Sequence, residues 1–342
     1  MEINKIYTGD CIKELKKLPD CSVNCCITSP PYYALRDYGH SKQIGLEKTP
    51  QQYVKKLVKV FREVKRVLKD DGTLWLNLGD SYAATGKNRT AEQASLKSNL
   101  LGSKGTQISC KNQPNKITAG LKPKDLIGIP WVVAFALRAD GWYLRQDIIW
   151  NKPNPMPESV TDRCTKSHEY IFLLSKSNKY YYDAAAIMQK AKNPEDDLRR
   201  YNNQSWDNKN IPTKFANGIR TRKSGNLKRK IGTERGCPEN TGSNVCGSVP
   251  WEGTMANKRS VWTVNTKPYN DAHFATFPPE LIIDCVKAGC PIGGIVLDPF
   301  MGAGTTAMVS AKLDRKYIGL ELNPAYVQIA ENRLNKELGL FK

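Results

Sequence analysis

Two short apolar runs near opposite ends of the chain each stop at a turn, and this pair limits the fold more than any other feature. Val23 to Ile27 runs into Thr28-Ser29-Pro30-Pro31-Tyr32, and Ile295 to Leu297 runs into Asp298-Pro299-Phe300-Met301-Gly302-Ala303-Gly304-Thr305. Each reads as a buried strand with an exit turn, one stiffened by prolines and the other loosened by glycines. In an open α/β sheet, ligands bind beyond the carboxyl ends of strands, where the strand order reverses. If the two strands are neighbours there, one loop can hold a cofactor and the other the group it modifies. That arrangement suits group transfer.

The remaining periodicity fits a doubly wound, Rossmann-like α/β sheet assembled from both ends of the chain. A strand from Ile6 leads into a short helix ending at Leu18. The apolar spacing of Val54, Leu57, Val58, Phe61, Val64 and Leu68 predicts a helix that Asp70-Asp71-Gly72 ends. Strand Thr73–Leu78 follows, closed by Gly79-Asp80-Ser81-Tyr82, then a helix around Leu126–Arg138 and a strand pair at Tyr143–Trp150 and Glu169–Leu174. Near the end, helix Glu280–Ala288, strand Ile295–Leu297, helix Thr305–Leu313, strand Tyr317–Glu321 and helix Pro324–Leu338 read as a βαβ unit with flanking helices. Residues 85–124 and 187–260 lack core periodicity; the first reads as a mobile basic loop, the second as a basic insertion. The expected layout is therefore 1–84, 85–124, 125–186, 187–260 and 261–342.

The formal net charge of +19 is concentrated in those two segments. Residues 85–124 carry eight Lys/Arg against one acid, Glu92, and residues 187–260 carry fifteen against seven. Arg220, Arg222, Lys223, Lys228, Arg229 and Lys230 form the densest run. Such concentration outside the core favours a polyanionic partner, with nucleic acid the obvious candidate. No stretch has the length of a membrane span, and the N-terminus lacks signal-peptide features. The ten cysteines contain no Cys-x-x-Cys, which suits reduced thiols in a cytoplasmic protein and no metal. A zinc site would have to draw on Cys164 with His168, or on Cys237 and Cys246.

The pair Ser-Pro-Pro-Tyr and Asp-Pro-Phe-x-Gly-x-Gly-Thr resembles the DNA amino-methyltransferases that use S-adenosylmethionine. Catalytic loop first and cofactor loop last resembles the permuted beta group of that family. The serine form resembles the members that methylate cytosine N4; adenine N6 enzymes more often carry Asp there. The resemblance implies an S-adenosylmethionine-dependent methyltransferase sheet with a basic insertion, acting site-specifically on cytosine N4 in double-stranded DNA by base flipping. Adenine N6 on the same scaffold is the alternative. It also implies a catalytic half in 1–84 and 125–186, a cofactor half in 261–342, and a target recognition region in 187–260. A cognate restriction endonuclease would be a genetic partner only. Two rivals come from other classes: a non-catalytic nucleic-acid-binding protein and a nicotinamide dehydrogenase. The second lacks its third glycine, since position 307 is Ala.

In the cofactor loop, Gly302 and Gly304 let backbone approach a ligand at the start of the Thr305 helix. Glu321, ending the next strand, can accept from ribose hydroxyls. Asp298 and Pro299 sit at the strand end as in the resembled family. By resemblance, Phe300 and Asp10 frame the adenine, while Thr276 and Phe277 lie near the methionine end. Glu280 is either part of that end or only a helix-start carboxylate.

An exocyclic amino group is a weak nucleophile because its lone pair is delocalised into the ring. A site can turn that lone pair outward by holding the amino hydrogens with acceptors and excluding water. Pro30 offers a carbonyl whose direction Pro31 helps fix, and Ser29 a hydroxyl that accepts or donates. Tyr32 offers a face for a flipped base. Asp80 either orients Ser29 or takes up the released proton, or else closes a loop. Trp150, Lys152 and Pro153 either pack around the base or form a plain proline-stiffened turn.

Overall fold

The apolar runs become strands of one sheet, and the amphipathic stretches become helices on its two faces. The structure is a computed structural model, which describes residues 1–35, 40, 42–83, 120–191, 255–267 and 277–339. The strands are β1 (Lys5–Thr8), β2 (Val23–Thr28), β3 (Leu68–Leu78), β4 (Tyr143–Asn151) and β5 (His168–Ser175), then β6 (Gln189–Lys190), β7 (Met255–Ala256), β8 (Val261–Thr263), β9 (Ile295–Asp298) and β10 (Lys316–Glu321). The principal helices are α1 (Cys11–Leu15), α2 (Pro50–Val67), α3 (Ile129–Ala139), α4 (Pro279–Gly289), α5 (Thr305–Lys312) and α6 (Pro324–Leu338).

Eight strands form the main sheet in the order β1-β10-β9-β2-β3-β5-β4-β8. From β1 to β3 all neighbours are parallel, whereas β5 runs antiparallel to both β3 and β4. The two strands with informative exit turns are direct neighbours, with Cys25 opposite Val296 and Cys26 opposite Leu297. From β2 the chain crosses through α2 to β3 on one side, and from β9 through α5 to β10 on the other. The strand order therefore reverses between β2 and β9, the position at which such sheets bind ligands.

Side chains alternate between two apolar layers, as a sheet covered on both faces requires. Cys26, Leu74 and Leu76 pack with α1, α2 and α3; Cys25, Ile27 and Trp75 pack with α4, α5 and α6. In α2 the Thr49 hydroxyl accepts from the Gln52 N–H and Pro50 begins the helix. Its Leu57, Val60, Phe61 and Val64 are completely buried, each contributing ~1.5–3 kcal/mol relative to exposure. Burial also pushes the Cys25 and Cys26 thiols well above their usual range, so they act as small apolar groups.

The turn-forming Asp70-Asp71-Gly72 does not separate α2 from a later strand. It lies inside β3, where the register to β2 jumps from Val23–Leu68 to Cys25–Thr73. These residues supply an outward excursion between two paired stretches, so turn chemistry here makes a bulge. Elsewhere the expected elements are present with small shifts of their ends.

The chain divides into two compact units, Met1–Ile187 with Arg259–Lys342, and Met188–Lys258. Within the second, the described residues form an antiparallel ribbon of β6 and β7. The expected loop 85–124 lies largely outside the described residues, as do Thr276, Arg220, Arg222, Lys223, Lys228, Arg229 and Lys230. Among the described residues no helix is long and apolar enough to cross a membrane. No group of three or more His, Cys, Asp or Glu there could hold a metal ion.

Candidate active site

A single hydrogen-bonded carboxylate joins the two loops. Thr28, the last residue of β2, donates to Asp298 Oδ1 at 2.6 Å, and Thr306 in α5 donates to Oδ2 at 2.6 Å. The Phe300 N–H also donates to Oδ1, at 3.0 Å. Asp298 is buried, so it fastens strand end, glycine loop and helix start together from below.

Burial pushes the Asp298 carboxyl up to about 6, although its three hydrogen bonds favour the ionised form. The folded chain therefore holds this proton more tightly than the unfolded chain. Its contribution is full below the ordinary aspartate range and is lost as pH rises through about 6. Relative to Asp298→Asn, the wild-type protein should lose about 2 kcal/mol of stability between pH 4 and 7. Denaturant unfolding of both proteins across that range measures the difference, and parallel curves would refute it.

Gly302 and Gly304 both take left-handed backbone, with φ of 52° and 78°. They do so for different reasons. A Cβ on Gly304 would come 2.9 Å from the Ala330 Cβ, so this glycine lets α6 approach the loop. A Cβ on Gly302 would meet nothing closer than the Phe300 carbonyl at 4.0 Å, which leaves open space for a ligand. The Gly302 N–H donates to Glu321 Oε2 and the Asn323 N–H to Oε1, each at 2.9 Å. Those bonds fix the carboxylate at the end of β10, and burial raises its pKa despite them.

One cavity collects the carboxyl ends of β1, β2, β9 and β10. It is lined by Asp10, Ser29, Pro30, Pro31, Tyr32, Phe277, Asp298, Pro299, Phe300, Gly302, Thr305 and Glu321. Asp10 also accepts from the Lys13 N–H at 3.0 Å, capping α1. The cavity reaches further, to Leu35, His40, Lys42, Gln43 and Ile44, which sequence reasoning did not single out.

The proline loop is held from behind. The Tyr53 hydroxyl of α2 donates to the Pro31 carbonyl at 2.9 Å, and among the described residues no donor takes the Pro30 carbonyl. Ser29 donates to the Tyr32 hydroxyl at a long 3.5 Å. Tyr32 is half-buried: the residue lines the cavity while its hydroxyl end is enclosed. That hydroxyl donates to Glu169 Oε2 at 2.6 Å, and burial beside the carboxylate holds its pKa well above the usual range.

Other expected residues lie elsewhere. Asp80 accepts from the backbone N–H groups of Ser81, Gly128 and Ile129, at 2.9 to 3.1 Å, which closes its loop onto the start of α3. Glu280 sits in the first turn of α4 and pairs with Lys267, which holds its carboxyl below the usual range. The Trp150 indole donates to the Val264 carbonyl at 2.9 Å, and Lys152 Nζ lies 4.2 Å from its ring centroid. Arg333, buried in α6, donates to the Ala303 carbonyl at 3.2 Å and to Thr305 Oγ1 at 2.9 Å. It braces the glycine loop from a helix whose sequence carries no local signal for that task.

A family description, DNA methylase of the N6/N4 type, matches residues 23–332. The chain belongs to that family. S-adenosylmethionine is the family's methyl donor. The chain is 43% identical to the Type II methyltransferase M.Cfr9I of Citrobacter freundii over 98% of its length and 90% of the relative's. It is also 43% identical to the Type II methyltransferase M.SmaI of Serratia marcescens, over 96% of this chain and 90% of that one. Among solved structures, the cytosine-N4-specific PvuII DNA methyltransferase superposes with a TM-score of 0.58 at 16% identity, covering 100% of this chain and 92% of that chain. A putative DNA modification methylase from Thermus thermophilus, solved with S-adenosyl-L-methionine, superposes with a TM-score of 0.53 at 20% identity, covering 97% and 95%. These likenesses establish a shared methyltransferase sheet.

Proposed function

We propose that this DNA methyltransferase, of the permuted beta group, methylates cytosine N4 in double-stranded DNA after flipping the base out of the helix. The observation that carries the reading is the single cavity in which the Ser29-Pro30 strand end faces the Gly302–Glu321 loop, with Thr28 and Asp298 bonded beneath it. S-adenosylmethionine fits the donor set: open space over Gly302, a fixed carboxylate at Glu321 and a second acid at Asp10. Bound there, it would supply an electrophilic methyl group. Glu321 retains lone pairs for the ribose hydroxyls, Asp10 accepts from the adenine amino group, and Phe300 and Phe277 offer apolar faces. Thr276 is proposed for the methionine end with them.

The rest of the reaction falls to the proline loop. Tyr53 occupies the Pro31 carbonyl, so the acceptor left for the target amino group is the Pro30 carbonyl. Ser29 accepts the second amino hydrogen or donates to the ring nitrogen. Together they turn the lone pair out of the plane, and the Tyr32 ring closes one face against water. Ser29 is smaller than an aspartate and can donate to cytosine N3, which favours cytosine over adenine. Asp80, through the loop it closes, supports this pocket from the end of β3.

Nucleoside mass spectrometry of DNA methylated by the purified enzyme tests the product. N4-methylcytosine is expected, and a digest dominated by N6-methyladenine would overturn the cytosine reading. The concentration of basic residues in 187–260 supports assigning DNA recognition to that segment. If Arg220, Arg222, Lys223, Lys228, Arg229 and Lys230 contact phosphates, log K for DNA falls with log salt by about 0.9 per neutralised phosphate. Replacing all six with glutamine should flatten that slope and leave cofactor affinity unchanged. An unaltered slope would make the run a solvated surface. The kinship with Type II methyltransferases supports a cytoplasmic modification enzyme with a restriction endonuclease as its genetic counterpart.

A further inference from the structure

Behind the catalytic loop, four elements converge on one carboxylate. Glu169 is the second residue of β5, and its Oε2 accepts from the Tyr32 hydroxyl at 2.6 Å and from Asn77 Nδ2 at 3.3 Å. Its Oε1 is paired with Lys152 Nζ, from the residue that follows β4. Asn77, in β3, also donates to the Tyr170 carbonyl at 3.1 Å, which fixes its amide between the strands. Both charged side chains are largely enclosed, with 17% of Lys152 and 16% of Glu169 exposed.

Enclosing an ion pair is costly in desolvation, and well-packed apolar residues usually serve stability as well or better. The sheet does not need this pair for its own integrity. Backbone ladders already join β4 to β5 and β5 to β3 on either side of it. The pair's direct protein contact outside the sheet is the hydroxyl of Tyr32, a residue that lines the cavity. Lys152 cannot swing away freely, because its ammonium also rests on the Trp150 ring and its backbone N–H donates to the Ser167 carbonyl at 2.8 Å.

We propose that Glu169, locked by Lys152 and Asn77, is a positioning residue that sets the plane of the Tyr32 ring against which the target base lies. A phenol free at its hydroxyl end would rotate about its two side-chain torsions. Fastened at both the backbone and the hydroxyl, the ring presents one orientation, so less ordering remains when the base arrives. Tyr32 stays a neutral donor throughout, and no proton leaves it. This inference rests on the proposed role of the cavity in methyl transfer to a flipped base.

The test uses the full chain, tritiated S-adenosylmethionine and unmethylated plasmid DNA. Tyr32→Phe removes only the hydroxyl; Glu169→Ala removes its acceptor at 2.6 Å and leaves the longer one, Asn77 Oδ1 at 3.1 Å. Each is expected to lower kcat about tenfold, the size of one charge-assisted hydrogen bond, while cofactor affinity is unchanged. Because Tyr32→Phe already cuts the link to Glu169, the double variant should be no slower than Tyr32→Phe alone. Glu169→Ala alone exposes the method to a folding defect, so Tyr32→Phe, which leaves the ion pair intact, must show the same kcat loss. Wild-type turnover in Tyr32→Phe, or fully additive losses in the double variant, would overturn the positioning role. Failure of the wild-type enzyme to methylate plasmid DNA at all would instead sink the proposed function.

Discussion

Gly302→Asp is expected to weaken S-adenosylmethionine binding about a hundredfold, or about 2.7 kcal/mol, while its left-handed backbone costs the fold only about 1 kcal/mol. The backbone there is left-handed, with φ of 52°, a conformation aspartate tolerates better than most residues. No protein atom lies closer than 4.0 Å to the new Cβ, so no packing clash adds to that backbone strain. The side chain instead enters the cavity and takes up ligand space. It also brings a second carboxylate beside Glu321, which already accepts from the Gly302 N–H. Glu321→Ala should act more mildly, about tenfold, since it removes acceptors without filling the pocket. Isothermal titration with S-adenosylmethionine measures both. Native affinity in the two variants would place the cofactor somewhere else.

The frame of the site was readable because it rests on local chemistry. Two prolines, two glycines and a strand-ending acid announce their backbone conformations over a few residues, and the strands before them are continuously apolar. Their adjacency is a condition that no residue announces, and the Cys26–Leu297 register meets it. What stayed hidden were long-range supports. Arg333 lies thirty residues from the Ala303 carbonyl it holds, and Tyr53 twenty-two from the Pro31 carbonyl. Each sits in an amphipathic helix where an arginine or a tyrosine is unremarkable. In sequence Glu169 reads as the first residue of a strand, and nothing in its neighbours announces that it meets the Tyr32 hydroxyl. Asp80 illustrates the reverse difficulty. An acid after a strand has two natural uses, and the backbone amides of Gly128 and Ile129 that it caps are remote in sequence. The bulge at Asp70-Asp71-Gly72 was misplaced because turn residues look the same whether they end an element or interrupt one.

Gly79 carries the last large effect, because the Tyr32 ring rests against it. It follows β3 directly, and a Cβ added there would come 2.5 Å from Tyr32 Cε2 and 3.0 Å from Cδ2. Neither atom belongs to a flexible chain end. The ring is rigid, its backbone is stiffened by Pro30 and Pro31, and its hydroxyl is fastened to Glu169 at 2.6 Å. Gly79→Ala therefore has to displace the ring toward the cavity or break that hydrogen bond. A misplacement of about 1 Å in a positioned group can cost about a hundredfold in rate. The overpacking itself should cost about 1–3 kcal/mol of stability. Single-turnover methylation at saturating S-adenosylmethionine should thus fall about a hundredfold, with cofactor affinity preserved because Gly302 and Glu321 lie on the far strands of the cavity. Adding Tyr32→Leu to Gly79→Ala removes the clash, so thermal melting should recover while turnover does not. Undiminished single turnover in Gly79→Ala would mean that the position of the Tyr32 ring is irrelevant to methyl transfer.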